Sequence, residues 1–116
     1  HPLSARHGTH HGLANALMLP NSMAFIEATD LTAAQLQTIQ TIRTLFAEAG
    51  RSGDSLADET RTWFKELGIQ FGLKNHGITA DDLGPLADEA FADPCHATNL
   101  IPVTRDDLAT VYRGAL

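Results

Sequence analysis

Four short motifs fix where helices must begin in this chain. Thr32 with Gln35, Ser55 with Asp58, Thr79 with Asp82 and Thr104 with Asp107 each set a hydroxyl three residues ahead of an amide or carboxylate. At that spacing the hydroxyl accepts the third residue's backbone N–H, and the third side chain reaches back to the first N–H. Two of the orphan donors of a new helix are then satisfied together. The three aspartates also sit where the helix dipole favours negative charge.

Apolar residues at helical spacing follow each start. After Thr32 come Leu36, Ile39, Ile42 and Phe46, with Gly50 as a stop. After Ser55 come Leu56, Thr60, Trp63, Phe64 and Leu67, with Gly68 as a stop. Leu83, Leu86, Ala90 and Phe91 follow Thr79 ahead of Pro94, and Leu108, Val111 and Tyr112 follow Thr104. A further helix is expected from about His11 to Ile26, where the pairs Leu13/Leu17 and Ala14/Met18 recur four residues apart. Pro20 is expected to kink or interrupt it, since proline lacks a donor and crowds the preceding turn. Ile69 to Leu73 alternates apolar and polar as a strand would, but nothing pairs with it, so it reads as a buried connector. The expected fold is all-α, one compact bundle of about five helices over residues 1–116.

Composition narrows the function. At 116 residues and 43% hydrophobic, the chain can bury a core without disulfides. Eight basic residues against fourteen acidic ones, a net charge of −6, argue against nucleic acid or an anionic membrane as partner. Cys95 is alone, no signal peptide is visible and no apolar run reaches membrane length, so a cytoplasmic protein is expected. G-x-G-x-x-G, G-x-x-x-x-G-K-[ST], G-x-S-x-G and H-E-x-x-H are all absent, so the chain supplies no dinucleotide fold. The start at His1 without Met suggests a processed product or a fragment.

The informative stretch is the beginning, where His1, His7, His10 and His11 crowd into the first 11 of 116 residues. Imidazole suits Zn, Fe, Cu and Ni. His7 with His10 or His11 has the spacing of a shared metal if the segment is helical, whereas Gly8 and Gly12 point to a loop and to surface or cap histidines. Elsewhere the residues read as structural. Cys95 and His96 are neighbours that point apart, His76 is a turn residue, Trp63 and Phe64 are core, and the Asp81-Asp82 and Asp106-Asp107 pairs are first-turn charge. No carboxylates pair as an acid/base dyad.

The run His1-Pro2-Leu3-Ser4 followed by His10-His11-Gly12-Leu13-Ala14-Asn15-Ala16-Leu17-Met18-Leu19-Pro20 resembles the C-terminal helical domain of the iron-containing (group III) alcohol dehydrogenases. That domain carries H-P-L-G/S and then P/H-H-G-L-A-N-A-L-L-L-P. Gly68-Ile69, Gly72-Leu73, Gly77-Ile78, Ala92-Asp93-Pro94-Cys95, Thr98-Asn99 and Asp107-Leu108 to Val111-Tyr112 extend the similarity over nearly the whole chain. Leu100 and Ile101 depart from it, standing where many relatives have Pro-Arg.

The resemblance implies a dehydroquinate synthase-like helical domain. It also implies an NAD(P)-linked oxidoreductase acting on a small alcohol or carbonyl substrate. Fe2+ or Zn2+, held by an Asp and three His, would act on the substrate oxygen as a Lewis acid while hydride moves to or from nicotinamide. His11 corresponds to the last His ligand, and His1 to a non-ligand His near the nicotinamide that helps relay the alcohol proton. The remaining ligands and the N-terminal nucleotide-binding domain would lie upstream. The chain alone is then expected to bind no metal tightly and to be inactive. It would expose apolar surface around its first helix for that missing partner, and self-associate or form a homo-oligomer. The other class of reading is a stand-alone acidic helical module that docks a partner protein.

Overall fold

A computed structural model describes residues 1–116 and contains helices and turns but no strand. Six α-helices follow in order: α1 (Pro2–His7), α2 (His11–Glu27), α3 (Ala33–Glu48), α4 (Leu56–Glu66), α5 (Leu83–Ala92) and α6 (Arg105–Ala115). Single 3-10 turns span Leu73–His76, Ala80–Asp82 and Pro94–Thr98. The all-α expectation holds, with five helices of ten residues or more and the short α1 in addition.

The four start signals act as their chemistry requires. Thr32, Thr79 and Thr104 close complete capping boxes with Gln35, Asp82 and Asp107. Ser55 accepts the N–H of Asp58 at 3.1 Å. Here a second acceptor helps, because Glu27 at the end of α2 receives the N–H groups of Leu56 and Ala57 at 2.8 and 3.1 Å. The Thr79 box opens a 3-10 turn first, and α5 begins only at Leu83.

α2 is the central helix. It is apolar on nearly every side and packs against α1, α4 and α6. It runs unbroken through Pro20, which is fully buried, so the expected interruption does not occur. Packing on several sides holds the turn that proline weakens, and Asn21 and Ser22 donate to the carbonyls of Leu17 and Met18 beside it. The core gathers Leu3, Ala14, Leu17, Leu73, Ile78, Leu86, Ala87 and Tyr112, drawn from α1, α2, α5, α6 and the connector. The connector is buried only in part: Leu73 is enclosed, Ile69 and Phe71 lie half-buried against the core, and Gln70 is exposed.

Two further expectations need correction. The first residues are not a loop: Pro2–His7 form α1, which ends at Gly8 with φ 66°. Pro at the first helical position presets φ, and Leu3, 2% exposed, supplies the burial that a six-residue helix needs. The apolar faces of α3 and α4 are also only half used. Ile39 is the one buried residue of α3, while Leu36, Leu45, Trp63 and Leu67 stay exposed. α3 leans mainly on α4, and its far side has nothing over it. Trp63 instead meets Phe46 edge-on at 5.7 Å and the Arg51 guanidinium at 5.8 Å. The exposed large apolar side chains therefore concentrate on α3 and at α4, with Leu19 on α2 and Phe91 on α5 in addition.

Candidate functional site

α1 places the two singled-out histidines at defined points. His1 is its N-cap, and His11 is the first residue of α2 after the Gly8 turn. The Gly8 turn is closed by the Gly8 N–H on the Ser4 carbonyl at 3.1 Å and the Thr9 N–H on the Leu3 carbonyl at 3.3 Å.

Polar contacts tie α1 to α5 along its length. His1 Nδ1 lies 3.1 Å from Asp93 Oδ2, just past the C-terminal end of α5. Arg6 pairs with Glu89. His7 Nε2 faces Asp82 Oδ1 at 3.8 Å, just ahead of the N-terminal end of α5. That gap is too long for a hydrogen bond, and His7 Nε2 is buried without one. The Thr79 N–H and hydroxyl hold the Asp82 carboxylate below its ordinary range.

His1 borders a cleft of about 290 Å³ between α2, α5 and α6, where Asn15, Asp93, Cys95, Asn99 and Tyr112 also contribute. Asp93 is anchored beneath it. Its Oδ1 accepts the Cys95 N–H at 2.9 Å and so caps the 3-10 turn Pro94–Thr98. The Cys95 thiol and N–H hold the Asp93 carboxyl below the usual carboxylate range. The same contact pushes the Cys95 thiol up, away from the thiolate a nucleophile needs, so the exposed Cys95 reads as a spectator. His96 lines the same cleft, stacking on Phe91 at 4.9 Å and donating to the Phe91 carbonyl at 3.0 Å. His76 reaches the Gln70 carbonyl at 2.7 Å across its turn.

His11 and His10 are both exposed. The ring of His10 folds over Gly12, where a Cβ would lie 3.5 Å from Nδ1. No three His, Cys, Asp or Glu side chains come together as metal donors. An exposed imidazole at the entrance of α2 is a donor of the type that a divalent iron or zinc takes. Asp93 was visible in the sequence only as part of a resemblance. What could have marked it is its place as an N-cap before Pro94, which fixes a carboxylate at the end of α5.

The sequence matches the family described as Fe-containing alcohol dehydrogenase family, C-terminal, over residues 1–116. It is similar to lactaldehyde reductase of Escherichia coli (strain K12), at 28% identity over 99% of this chain and 30% of that protein. It is also similar to alcohol dehydrogenase 4 of Schizosaccharomyces pombe, at 28% identity over 100% of this chain and 27% of that protein. Alcohol dehydrogenase 4 of Saccharomyces cerevisiae (strain YJM789) is 24% identical over 99% of this chain and 29% of its own length. The chain thus spans less than a third of the curated relatives it matches. An all-helical fold opening on an exposed His11 and a tethered His1, matched from first residue to last, places this chain in the Fe-containing alcohol dehydrogenase family, in its C-terminal part.

Proposed function

We propose that this chain forms the C-terminal side of the active-site cleft in an NAD(P)-linked alcohol dehydrogenase acting on a small alcohol or carbonyl substrate. The observation that carries the reading is the match to the family's C-terminal part over residues 1–116, with the histidine motif at the entrance of α2. His11 is the residue that donates to a divalent iron or zinc, its exposure leaving it open to donors from elsewhere. Bound there, such a metal would supply Lewis acidity toward a substrate oxygen, and a nicotinamide cofactor would supply the hydride chemistry. His1 stands at the cleft to move the alcohol proton. The exposed apolar residues of α2, α3 and α4 support packing against further polypeptide or a second copy.

The gene upstream of the His1 codon gives the first test: G-G-S and D-x-x-x-H motifs in frame are expected, and a start codon just before His1 overturns the reading. In the longer enzyme, His11→Ala is expected to lower bound metal and turnover together. His1→Ala is expected to lower turnover with metal retained. For the 116-residue chain alone, near-stoichiometric Fe or Zn by elemental analysis overturns the assignment of a single ligand.

A further inference from the structure

We propose that Asp93 is a positioning residue for His1, fixing its imidazole in the Nδ1–H tautomer so that Nε2 is the ring nitrogen left to exchange a proton. The inference rests on the reading of His1 given above and adds the group that sets which nitrogen works.

Asp93 is placed without help from His1. Its N–H donates to the Glu89 carbonyl at 3.1 Å as α5 ends. Pro94 then opens the 3-10 turn that Oδ1 caps through the Cys95 N–H. One carboxylate oxygen is therefore committed to the backbone, and the other faces His1 Nδ1 at 3.1 Å. The side chain is mostly covered, 21% exposed against 65% for His1, so the fixed partner is Asp93.

A carboxylate can only accept. With the Asp93 carboxyl held below its ordinary range, it is charged near neutral pH. A neutral imidazole beside it must then present Nδ1–H and keep its lone pair on Nε2, since the bond made by one ring nitrogen sets the state of the other. A free imidazole side chain favours the opposite tautomer. As an energy term the pair is modest, because an ion pair this exposed contributes little to stability. Its consequence is the orientation and the tautomer. The other charged groups around Asp93 are the chain's α-amino group and His96, with the Cys95 thiol in contact.

The test uses the full 116-residue chain with one alanine added ahead of His1, which converts the α-amino group into an amide. Long-range 15N–1H NMR of labelled histidines, at a pH high enough that each ring carries a single N–H, reads the tautomer directly. A His1→Gln sample identifies the His1 signals. The unsubstituted chain is expected to show His1 mainly as Nδ1–H. Asp93→Asn keeps an oxygen for the Cys95 N–H and turns an amide donor toward His1, so the tautomer should reverse to Nε2–H.

An Nε2–H tautomer in the unsubstituted chain overturns the proposal, and so does a tautomer indifferent to Asp93→Asn. The readout needs neither metal nor turnover. It therefore fails separately from the function, which fails if His1→Ala leaves turnover of the longer enzyme intact.

Discussion

The carboxylate of Glu27, in the last turn of α2, caps the first turn of α4 by accepting the N–H groups of Leu56 and Ala57 at 2.8 and 3.1 Å. Both residues are buried, so water is a poor substitute for the lost acceptor. Glu27→Ala is expected to cost about 2 kcal/mol in urea unfolding. Glu27→Gln, which keeps one acceptor and loses the charge at the helix N-terminus, should cost about half of that.

Arg43 and Glu59 join α3 to α4. The Glu59 carboxylate is 3% exposed, and its Oε1 accepts from Arg43 at 3.0 and 3.1 Å and from the Gly53 N–H at 3.2 Å. Its other oxygen is buried without a partner. Arg43→Met leaves a buried carboxylate uncompensated and is expected to cost about 2–3 kcal/mol, below the value for a fully enclosed pair because Arg43 is 28% exposed. Arg43→Met with Glu59→Leu should recover most of the loss. A double variant no more stable than Arg43→Met alone would refute this account.

Tyr112 is the only tyrosine in the chain, and burial, with the charge of Glu89 adding, pushes its phenol from 10.0 to about 12. Below pH 10 the hydroxyl is protonated both folded and unfolded and contributes no pH dependence. Between about pH 10 and 12 only the unfolded chain releases the proton, so stability falls with rising pH by up to about 1.4 kcal/mol per unit. The tyrosinate absorbance of the folded chain should have its midpoint near 12, and a midpoint near 10 would mean that the ring is not enclosed.

Gly8 and Gly12 flank the histidine motif but should respond in opposite senses to alanine. Gly8 has open space around it yet a φ of 66°, so Gly8→Ala is strained by backbone alone and is expected to cost about 1 kcal/mol. Gly12 is helical, and its added Cβ meets His10 only at van der Waals distance, so Gly12→Ala should gain about 0.5–1 kcal/mol. Thermal unfolding of the two variants decides the matter.

The helix starts were legible because a capping box is local: the hydroxyl and its partner lie three residues apart whatever the rest of the chain does. α1 was not, because Gly8 and Gly12 look like loop residues until Leu3 is seen to find its place in the core. The exposure of Trp63 and Leu67 was equally hidden, since periodicity marks a face without saying whether a neighbour covers it. Glu27 and Asp93 act on residues of other elements or on segment ends, and no spacing rule connects Glu27 to Leu56 or Asp93 to His1. The importance of His1 and His11 came from resemblance, and what the structure adds is their placement at the two ends of one short helix and its turn.

The attachment of α1 divides unequally between its contacts. Its two close polar links, Arg6 to Glu89 and His1 to Asp93, are separate and partly exposed, so losing one leaves the other. Its apolar attachment has no such redundancy, because Leu3 and Pro2 are its only buried residues. Enlarging or removing the Leu3 side chain would therefore release His1 from Asp93 and loosen the approach to His11 in a single step, from a position that meets neither histidine's chemistry.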